Sequence, residues 1–258
     1  MTAIACRDVT RRYANGTEAL GPLDLTIREG EFVSLLGPSG CGKSTLLRII
    51  AGLDAPSTGR VTVAARAQSS RGIGFVFQEP TLMPWASVRD NVRLPLRLTR
   101  DTSAASLARI DELLARVGLA EFAEAFPREL SGGMKMRVSL ARALVTDPDI
   151  LLLDEPFAAL DEITRFRLNN DLLTLWRDLR KTVVFVTHSV FESVFLSQRV
   201  VVLTARPGRI FAERGIDAPE PRDESFRTSA PYGSFCREVS ALLGQASVPG
   251  SETLISDI

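Results

Sequence analysis

The chain has 258 residues, of which 45% are hydrophobic, and its 31 basic side chains balance 31 acidic ones. This length suits one domain, or one domain with an inserted subdomain, and the hydrophobic content is enough for a full core. The balanced charge argues against a nucleic-acid-binding protein, since such proteins usually carry a basic excess.

The amino-terminal residues show no secretion signal, because Met1 to Asp8 contains no basic segment followed by an apolar stretch. No apolar run in the sequence approaches the roughly 18 residues that a membrane-spanning helix needs. The three cysteines, Cys6, Cys41 and Cys236, are scattered along the chain, which fits neither a disulfide framework nor a zinc site. We therefore expect a cytoplasmic protein.

Short apolar runs predict buried strands, and helical segments follow most of them. The predicted core strands are Glu31–Leu36, Ile73–Phe77, Ile150–Leu153, Val183–Thr187 and Val200–Leu203. The helices predicted between them are Lys43–Ala51, Asp161–Leu179 and Val190–Leu196. This alternation predicts an α/β fold with a mixed, mainly parallel sheet that is covered on both faces. An antiparallel β portion is predicted at the N-terminal side of this core, from the segments Ile4–Thr10 and Gly21–Ile27.

The strand pattern disappears between Gln78 and Asp147. The helices predicted there are Val88–Leu98, Leu107–Val117 and Met134–Val145. We interpret residues 79–147 as a helical subdomain inserted in a domain that spans residues 1–215. The remaining residues, 216–258, form a polar, proline-rich C-terminal extension with one predicted helix, Ser234–Leu243.

A glycine-rich loop follows the predicted strand Glu31–Leu36 and opens the next helix. Its residues match the pattern G-x-x-x-x-G-K-S and are Gly37, Pro38, Ser39, Gly40, Cys41, Gly42, Lys43, Ser44 and Thr45. Glycines let backbone N–H groups turn inward around phosphates, and the helix N-terminus adds partial positive charge. We expect Lys43 to reach the β- and γ-phosphates of a nucleotide and Ser44 to ligate Mg²⁺. A chance glycine-rich turn is the alternative, but the strand-to-helix context argues against it.

The predicted apolar strand Ile150–Leu153 is followed by two acidic residues, Asp154 and Glu155. Asp154 is expected to reach the Mg²⁺ shell through water, and Glu155 is the candidate general base for an attacking water. Alone, such a pair is as easily a solvated strand end. His188, the single histidine, closes the strand Thr182–Thr187, where open α/β sheets bind ligands. We expect it to contact the γ-phosphate, although a packed or capping histidine is the usual role.

Two further residues have weaker assignments. Gln78 ends the strand Ile73–Phe77, where its amide could touch Mg²⁺ or the water, or mark a plain polar boundary. Tyr13, one of two tyrosines, could stack on adenine or anchor the N-terminal sheet, with nearly equal weight.

A second anion-binding helix start is indicated by Ser131, Gly132 and Gly133, which open the helix predicted near Met134. One phosphate chain cannot easily use this start and the glycine-rich loop within a single subunit. The pattern therefore predicts two copies of the chain that clamp ATP between them.

Taken in order, these motifs resemble the ATP-binding subunits of ABC transporters over residues 4 to 210. The motifs that match are an adenine-stacking aromatic at Tyr13, Walker A at residues 37–45, a Q-loop at Gln78, a signature motif at Ser131–Gly133, Walker B at Ile150–Glu155, a D-loop at Ala159–Asp161 and a switch histidine at His188. The resemblance implies a head-to-tail dimer with ATP and Mg²⁺ between Walker A and the partner's signature. It also implies that Asp161 helps the subunits communicate.

The signature departs from the family's usual sequence, because Met134 replaces a glutamine whose hydrogen bonds it cannot make. We expect activity to survive through Ser131 and the two glycine amides. Met134 and the segments 78–85 and 154–161 are similar to the branch that imports nitrate, sulfonates, taurine and pyrimidine precursors. This implies permease partners in the membrane, a solute-binding protein and a location on the cytoplasmic face.

Other interpretations explain less of the sequence. ABC-type ATPases that act on nucleic acid or ribosomes tend to carry tandem cassettes, long coiled-coil inserts or cysteine clusters, and this sequence has none of these features. A P-loop kinase would leave Ser131–Gly133 and His188 unexplained. The apolar loop Leu82–Trp85 could pack the insert onto the core, or it could receive a short helix of a membrane subunit.

Overall fold

The computed structural model describes residues 1–63, 72–219 and 222–248. Its contacts divide the chain into two compact units, Met1–Ala64 with Thr182–Ile258, and Ala65–Lys181. Part of the predicted C-terminal extension, residues 220–221 and 249–258, lies outside the described residues.

Strands and helices follow one another in the order that the sequence predicts for an α/β protein. The strands are β1 (Thr2–Arg12), β2 (Glu18–Leu20), β3 (Leu25–Arg28), β4 (Phe32–Leu36), β5 (Thr58–Val63), β6 (Ile73–Val76), β7 (Ile150–Asp154), β8 (Thr182–Thr187), β9 (Arg199–Leu203) and β10 (Ile210–Gly215). The helices are α1 (Lys43–Ile50), α2 (Val88–Leu98), α3 (Ala104–Arg116), α4 (Gly132–Leu144), α5 (Glu162–Leu179), α6 (Val190–Leu196), α7 (Glu224–Arg227) and α8 (Ala230–Ala246). Short 3-10 turns lie at Ala120–Phe122 and Pro127–Glu129.

The first unit contains a mixed sheet built around β4. Strands β8 and β9 flank β4 in parallel, and β10 pairs antiparallel with β9. All residues of β4 and β8 are buried, as expected for strands that are covered on both faces. The predicted strands Val183–Thr187 and Val200–Leu203 are therefore confirmed, each to within one residue at its start, while β10 was not predicted.

The predicted antiparallel β portion at the N-terminus also lies in the first unit. Strand β1 pairs antiparallel with β2, β3 and β5. Ile4 and Cys6 are buried two positions apart, as in an alternating strand, and Val9 is buried where the register to β5 shifts, between Arg7 and Thr10.

The C-terminal extension packs on α6. The Arg222 guanidinium is buried and donates hydrogen bonds to the carbonyls of Val194, Phe195, Ser197 and Ile216. Three of these carbonyls lie at the end of α6, where a helix leaves its last acceptors without internal partners. A cation at a helix C-terminus is also favoured by the helix dipole. The Arg222 side chain therefore caps the C-terminus of α6.

Aromatic contacts add to this packing of the extension. The Arg227 guanidinium carbon lies 3.4 Å from the centre of the Phe195 ring. In α8, the Tyr232 hydroxyl donates to the Phe191 carbonyl at 3.1 Å. The extension thus holds α6 along its length.

In its described residues, the second unit combines the parallel pair β6–β7 with helices α2 to α5. Helices α2, α3 and α4 occupy the stretch in which the sequence predicted helices, and α2 has the predicted bounds. Helix α3 begins earlier than predicted, because the Ser103 side chain caps it by accepting from the Ser106 N–H. Among the helices of the described residues, none combines the length and apolar character needed to cross a bilayer.

Candidate functional site

The glycine-rich loop connects β4 to α1 in the first unit. Helix α1 begins at Lys43, and the residue before it, Gly42, has a φ of 101°. A Cβ atom at Gly42 would lie 2.6 Å from the Ala19 carbonyl oxygen and 2.7 Å from a Leu20 methyl carbon. Both the backbone angle and the lack of space therefore require glycine at this position.

Lys43 places its charge inside the loop. Its side chain is buried, and its Nζ donates to the carbonyl oxygens of Gly37 at 2.8 Å and Pro38 at 3.0 Å. Ser44 and Thr45 follow in the first turn of α1, with Ser44 exposed. An ammonium group and a helix N-terminus in one loop make a site for an anion.

Cys41 lies in the same loop and is buried. Burial raises the pKa of its thiol above the ordinary value, while the charge of Lys43 acts in the opposite direction. The thiolate, which is the reactive form, therefore appears at higher pH than in a free cysteine.

We expect iodoacetamide to alkylate Cys41 more slowly at neutral pH than it alkylates N-acetylcysteine, with a rate that rises into the alkaline range. The reason is the smaller thiolate fraction of a buried thiol. Peptide mass spectrometry after timed exposure between pH 7 and pH 10 would measure the rate at this residue. A half-maximal rate at or below the pH found for N-acetylcysteine would contradict the prediction.

His188 lies beside the glycine-rich loop at the same end of the sheet. Leu36 of β4 pairs with Thr187 of β8, so Gly37 and His188 each follow a member of that pair. The turn is held by a hydrogen bond of 2.5 Å from the Thr187 hydroxyl to Glu192 and by one from the Ser189 N–H to the Thr187 hydroxyl. The exposed imidazole thus has a fixed attachment next to the loop.

Tyr13 also contacts the loop. Its hydroxyl is 3.2 Å from the Thr45 hydroxyl, and the Arg11 guanidinium carbon lies 4.8 Å from the ring centre. The ring is only partly buried. Within the first unit, the structure therefore brings together Tyr13, the glycine-rich loop and His188.

Gln78, Asp154 and Glu155 lie in the second unit, where Val76 of β6 pairs with Leu153 of β7. Gln78 and Glu155 are each two residues beyond this pair, so the amide and the carboxylate follow neighbouring strands at the same edge. Asp154 is the last residue of β7. Glu155 has a φ of 46°, in the left-handed region, and such backbone strain is found preferentially at functional sites.

Ser131 is the N-cap of α4, and its hydroxyl accepts from the Met134 N–H at 3.3 Å. A Cβ atom at Gly133 would lie 2.7 Å from a Thr164 methyl carbon, and one at Gly132 would lie 3.3 Å from a Leu160 methyl carbon. The two glycines therefore let α4 begin directly against the segment that leads into α5.

Asp161 caps that neighbouring helix. Its carboxylate accepts from the Thr164 N–H at 2.9 Å, and this hydrogen bond holds the pKa of the carboxyl below its ordinary value. Asp161 is exposed and stays ionised near neutral pH. Within the second unit, the predicted signature and D-loop residues thus form one packed group.

One residue of this unit was missed from the sequence. Arg142 of α4 donates to the carbonyls of Pro80 and Thr81 at 2.7 and 2.8 Å, and burial lowers its pKa. It fixes the segment that follows Gln78 onto the helix that Ser131 begins. The sequence carried no clear signal for this role, because the same helix also contains Lys135 and Arg137.

Comparison with known proteins gives consistent matches. A family model described as ABC transporter matches residues 20–158. An uncharacterized ABC transporter ATP-binding protein of Methanocaldococcus jannaschii is 48% identical over 231 residues, which cover 89% of this chain and 85% of that protein. The taurine import ATP-binding protein TauB of Rhizobium johnstonii is 46% identical, covering 90% of this chain and 91% of that protein. The aliphatic sulfonates import ATP-binding protein SsuB of Bacillus licheniformis is 45% identical, and 86% of each chain is covered.

A solved structure is similar over most of the chain. It is described as the dimeric structure of a post-hydrolysis state of an ATP-binding cassette bound to ADP and Pi. The TM-score is 0.73 at 35% sequence identity, and the match covers 84% of this chain and all of that one. The predicted α/β P-loop fold is therefore confirmed.

Proposed function

The chain belongs to the ABC transporter family of ATP-binding proteins, and from that premise we propose that it hydrolyses ATP to power the import of a small solute. The observation that carries the proposal is the loop around Lys43, whose ammonium group and helix N-terminus suit a triphosphate. The names of TauB and SsuB, which are import proteins, support the direction of transport.

We propose that the loop residues 37–45 bind the phosphates of ATP. Lys43 would exchange its loop carbonyls for the β- and γ-phosphate oxygens, which are stronger acceptors because they are charged. Tyr13, whose hydroxyl is held by Thr45, would stack on the adenine through its aromatic face.

Hydrolysis would depend on Glu155 and His188. Glu155 would take the proton of the water that attacks the γ-phosphate, and His188 would hydrogen-bond the γ-phosphate. The Thr187–Glu192 hydrogen bond supports this role for His188, because it fixes the turn that carries the imidazole.

We propose that ATP is bound together with Mg²⁺. Within the described residues, no group of three or more His, Cys, Asp or Glu side chains could hold a metal. Mg²⁺ usually takes one or two protein ligands and completes its shell with phosphates and water, and it prefers oxygen ligands of the kind that a hydroxyl, an amide and a carboxylate supply. We propose that Ser44, Gln78 and Asp154 hold it, Asp154 through water. Bound there, Mg²⁺ would neutralise charge on the phosphates.

We further propose that the ATP-bound form is a dimer of two copies. Ser131 and the amides of Gly132 and Gly133 lie at the start of α4, an anion-binding position that the same subunit's Walker A loop does not need. The partner's γ-phosphate is the suitable ligand. Asp161 would sense that contact, because Leu160 and Thr164 on either side of it pack on the two glycines.

A membrane permease is the proposed second partner. Trp85 is 76% exposed, yet the loop that carries it is firmly held. The buried Asn91 side chain accepts from the Met83 N–H at 2.7 Å and donates to the carbonyls of Ala86 and Ser87. A large aromatic side chain on a pre-organised loop is typical of an interface hot spot.

Replacing Trp85 with alanine should reduce co-purification of the permease by at least about 10-fold and leave the ATPase rate of the isolated chain unchanged. The measurement is a pull-down of tagged protein from native membranes, quantified by mass spectrometry. Leu98→Ala is the matched control, because Leu98 is equally exposed at the end of α2.

The same pull-down tests the proposed function as a whole. A multi-span membrane protein recovered near one-to-one supports it. Recovery of ribosomes or DNA-repair proteins with no membrane protein would contradict it.

The transported solute is proposed at the level of a class. The names of SsuB and TauB favour a small sulfonate, and nitrate or a pyrimidine precursor remains within the same class of importers. We propose that a solute-binding protein delivers it and that the chain lies on the cytoplasmic face of the membrane, attached through the permease.

A further inference from the structure

The loop between β9 and β10, residues 204–209, lies against the glycine-rich loop. A Cβ atom at Gly37 would stand 3.0 Å from the carbonyl oxygen of Leu203, the last residue of β9. A Cβ atom at Gly208 would overlap the Cys41 carbonyl oxygen. The two loops therefore touch through backbone atoms, which leaves little freedom for either to shift alone.

Arg206 adds the contact that involves a side chain. Its Nε donates to the Gly40 carbonyl oxygen at 3.0 Å. A guanidinium nitrogen would lie 2.9 Å from a Cβ atom at Gly40, whose φ is 73°. The guanidinium thus lies directly against Gly40, a residue that has no side chain to displace it.

The backbone on both sides of Arg206 is held in place. Thr204 accepts through its hydroxyl from the Arg209 N–H at 3.0 Å and donates that hydroxyl to the Pro207 carbonyl at 3.1 Å. The Ala205 N–H donates to the carbonyl of Ala246, the last residue of α8. Arg206 therefore approaches Gly40 from a fixed base and not from a mobile loop.

The acceptor of Arg206 belongs to the same peptide group as the Cys41 N–H. A charged donor on the carbonyl oxygen polarises this group, and polarisation strengthens the N–H as a donor. It also fixes the plane of the peptide, and with it the direction of the N–H. In this structure the Cys41 N–H donates a long hydrogen bond of 3.3 Å to the Pro38 carbonyl. A charged phosphate oxygen is a stronger acceptor than that carbonyl, so the N–H would form a stronger hydrogen bond to the phosphate.

We propose that Arg206 is a positioning residue for nucleotide binding: it holds and polarises the Gly40–Cys41 peptide so that its N–H is ready for a phosphate oxygen. The inference rests on the proposed function, because it takes the glycine-rich loop as the ATP site. The contact is equally available before and during the reaction, so its loss should weaken binding and leave the chemical step nearly unchanged.

The test compares Arg206→Ala and Arg206→Lys with wild type. We expect Arg206→Ala to raise both the Kd of a fluorescent ATP analogue and the KM for ATP by about 3- to 10-fold, with kcat within about twofold. Arg206→Lys should recover part of this affinity, since an ammonium group can still donate to the Gly40 carbonyl but lacks the planar guanidinium that packs against Gly40. Arg214→Ala is the control for loss of charge, because Arg214 pairs with Glu238 in the same unit.

Several results would overturn the inference. These are an unchanged Kd and KM in Arg206→Ala, an equal rise in Arg214→Ala, or a fall in kcat at constant KM. A lowered melting temperature in both Arg206 variants, with no recovery of Kd by lysine, would show a structural role and overturn it too. The Lys43→Ala variant distinguishes a failure of this inference from a failure of the proposed function. If wild type and Lys43→Ala bind the ATP analogue equally well, the glycine-rich loop is not the ATP site and both proposals fail.

Discussion

A Glu155→Gln variant should bind ATP as wild type does and hydrolyse it at least about 100-fold more slowly. Glutamine keeps the size and hydrogen-bonding capacity of the side chain but cannot accept the proton of the attacking water. With ATP uncleaved, the proposed dimer should accumulate. Size-exclusion chromatography with light scattering, in the presence of ATP, would show this as a shift from monomer to dimer.

Glu121→Gln is the control for this experiment, because it makes the same chemical change at an exposed position in the 3-10 turn Ala120–Phe122. It should hydrolyse ATP at the wild-type rate and show no lasting dimer. Wild-type hydrolysis by Glu155→Gln would remove Glu155 from the role of base. The left-handed φ of 46° at this residue would then need another explanation.

A Ser131→Arg variant should lose hydrolysis and retain ATP binding by the single subunit. The arginine side chain would fill the space at the start of α4 that the partner's γ-phosphate is proposed to occupy, while the glycine-rich loop in the other unit is untouched. Titration of a fluorescent ATP analogue at low protein concentration would measure single-subunit binding, and phosphate release would measure hydrolysis.

Ser103→Arg is a closely matched control. Ser103 caps α3 as Ser131 caps α4, each hydroxyl accepting an N–H three residues on at 3.3 Å. Both variants lose an N-cap at a cost of about 1 kcal/mol, so a difference between them reports on the site and not on helix stability. Loss of monomer ATP binding in Ser131→Arg would contradict the shared-site proposal.

Mixing two inactive variants sharpens the result. A dimer of Ser131→Arg with Lys43→Ala contains one site with an intact loop and an intact signature, so some hydrolysis should return on mixing. If both elements acted within one subunit, mixing would restore nothing.

Much of the fold could be predicted because its core strands are short, continuous apolar runs. Helix α6 has the predicted bounds, and β4 and β8 agree within one residue. Strand β5 was missed because its side chains are largely exposed and show no apolar alternation. Strand β10 was missed because Glu213, Arg214 and Gly215 resemble a loop, although backbone pairing with β9 decides the structure there.

Helix starts were the other source of error. The predicted start of the last helix was Ser234, but α8 begins at Ala230 behind the capping Ser229, with Pro231 in its first turn. Proline is well tolerated there, because the N–H that it lacks would have no helical partner.

The candidate site divides in a similar way. Residues that follow directly on strands, such as Glu155 and His188, could be predicted because the strand itself gives their position. Arg206 could not, because it is 166 positions from Gly40 and acts on a backbone carbonyl, which any residue could supply. Such contacts depend on how distant loops meet and leave no local pattern.

The closure of α6 by Arg222 decides where the chain can be shortened. Cutting before Arg222 would strip four carbonyls of their donor and uncover Phe195. Cutting between Arg222 and Ala246 would still release the β9–β10 loop from α8. The shortest version of the chain that keeps all of these contacts therefore includes every residue up to Ala246. A fused reporter or regulatory domain should be attached after that residue.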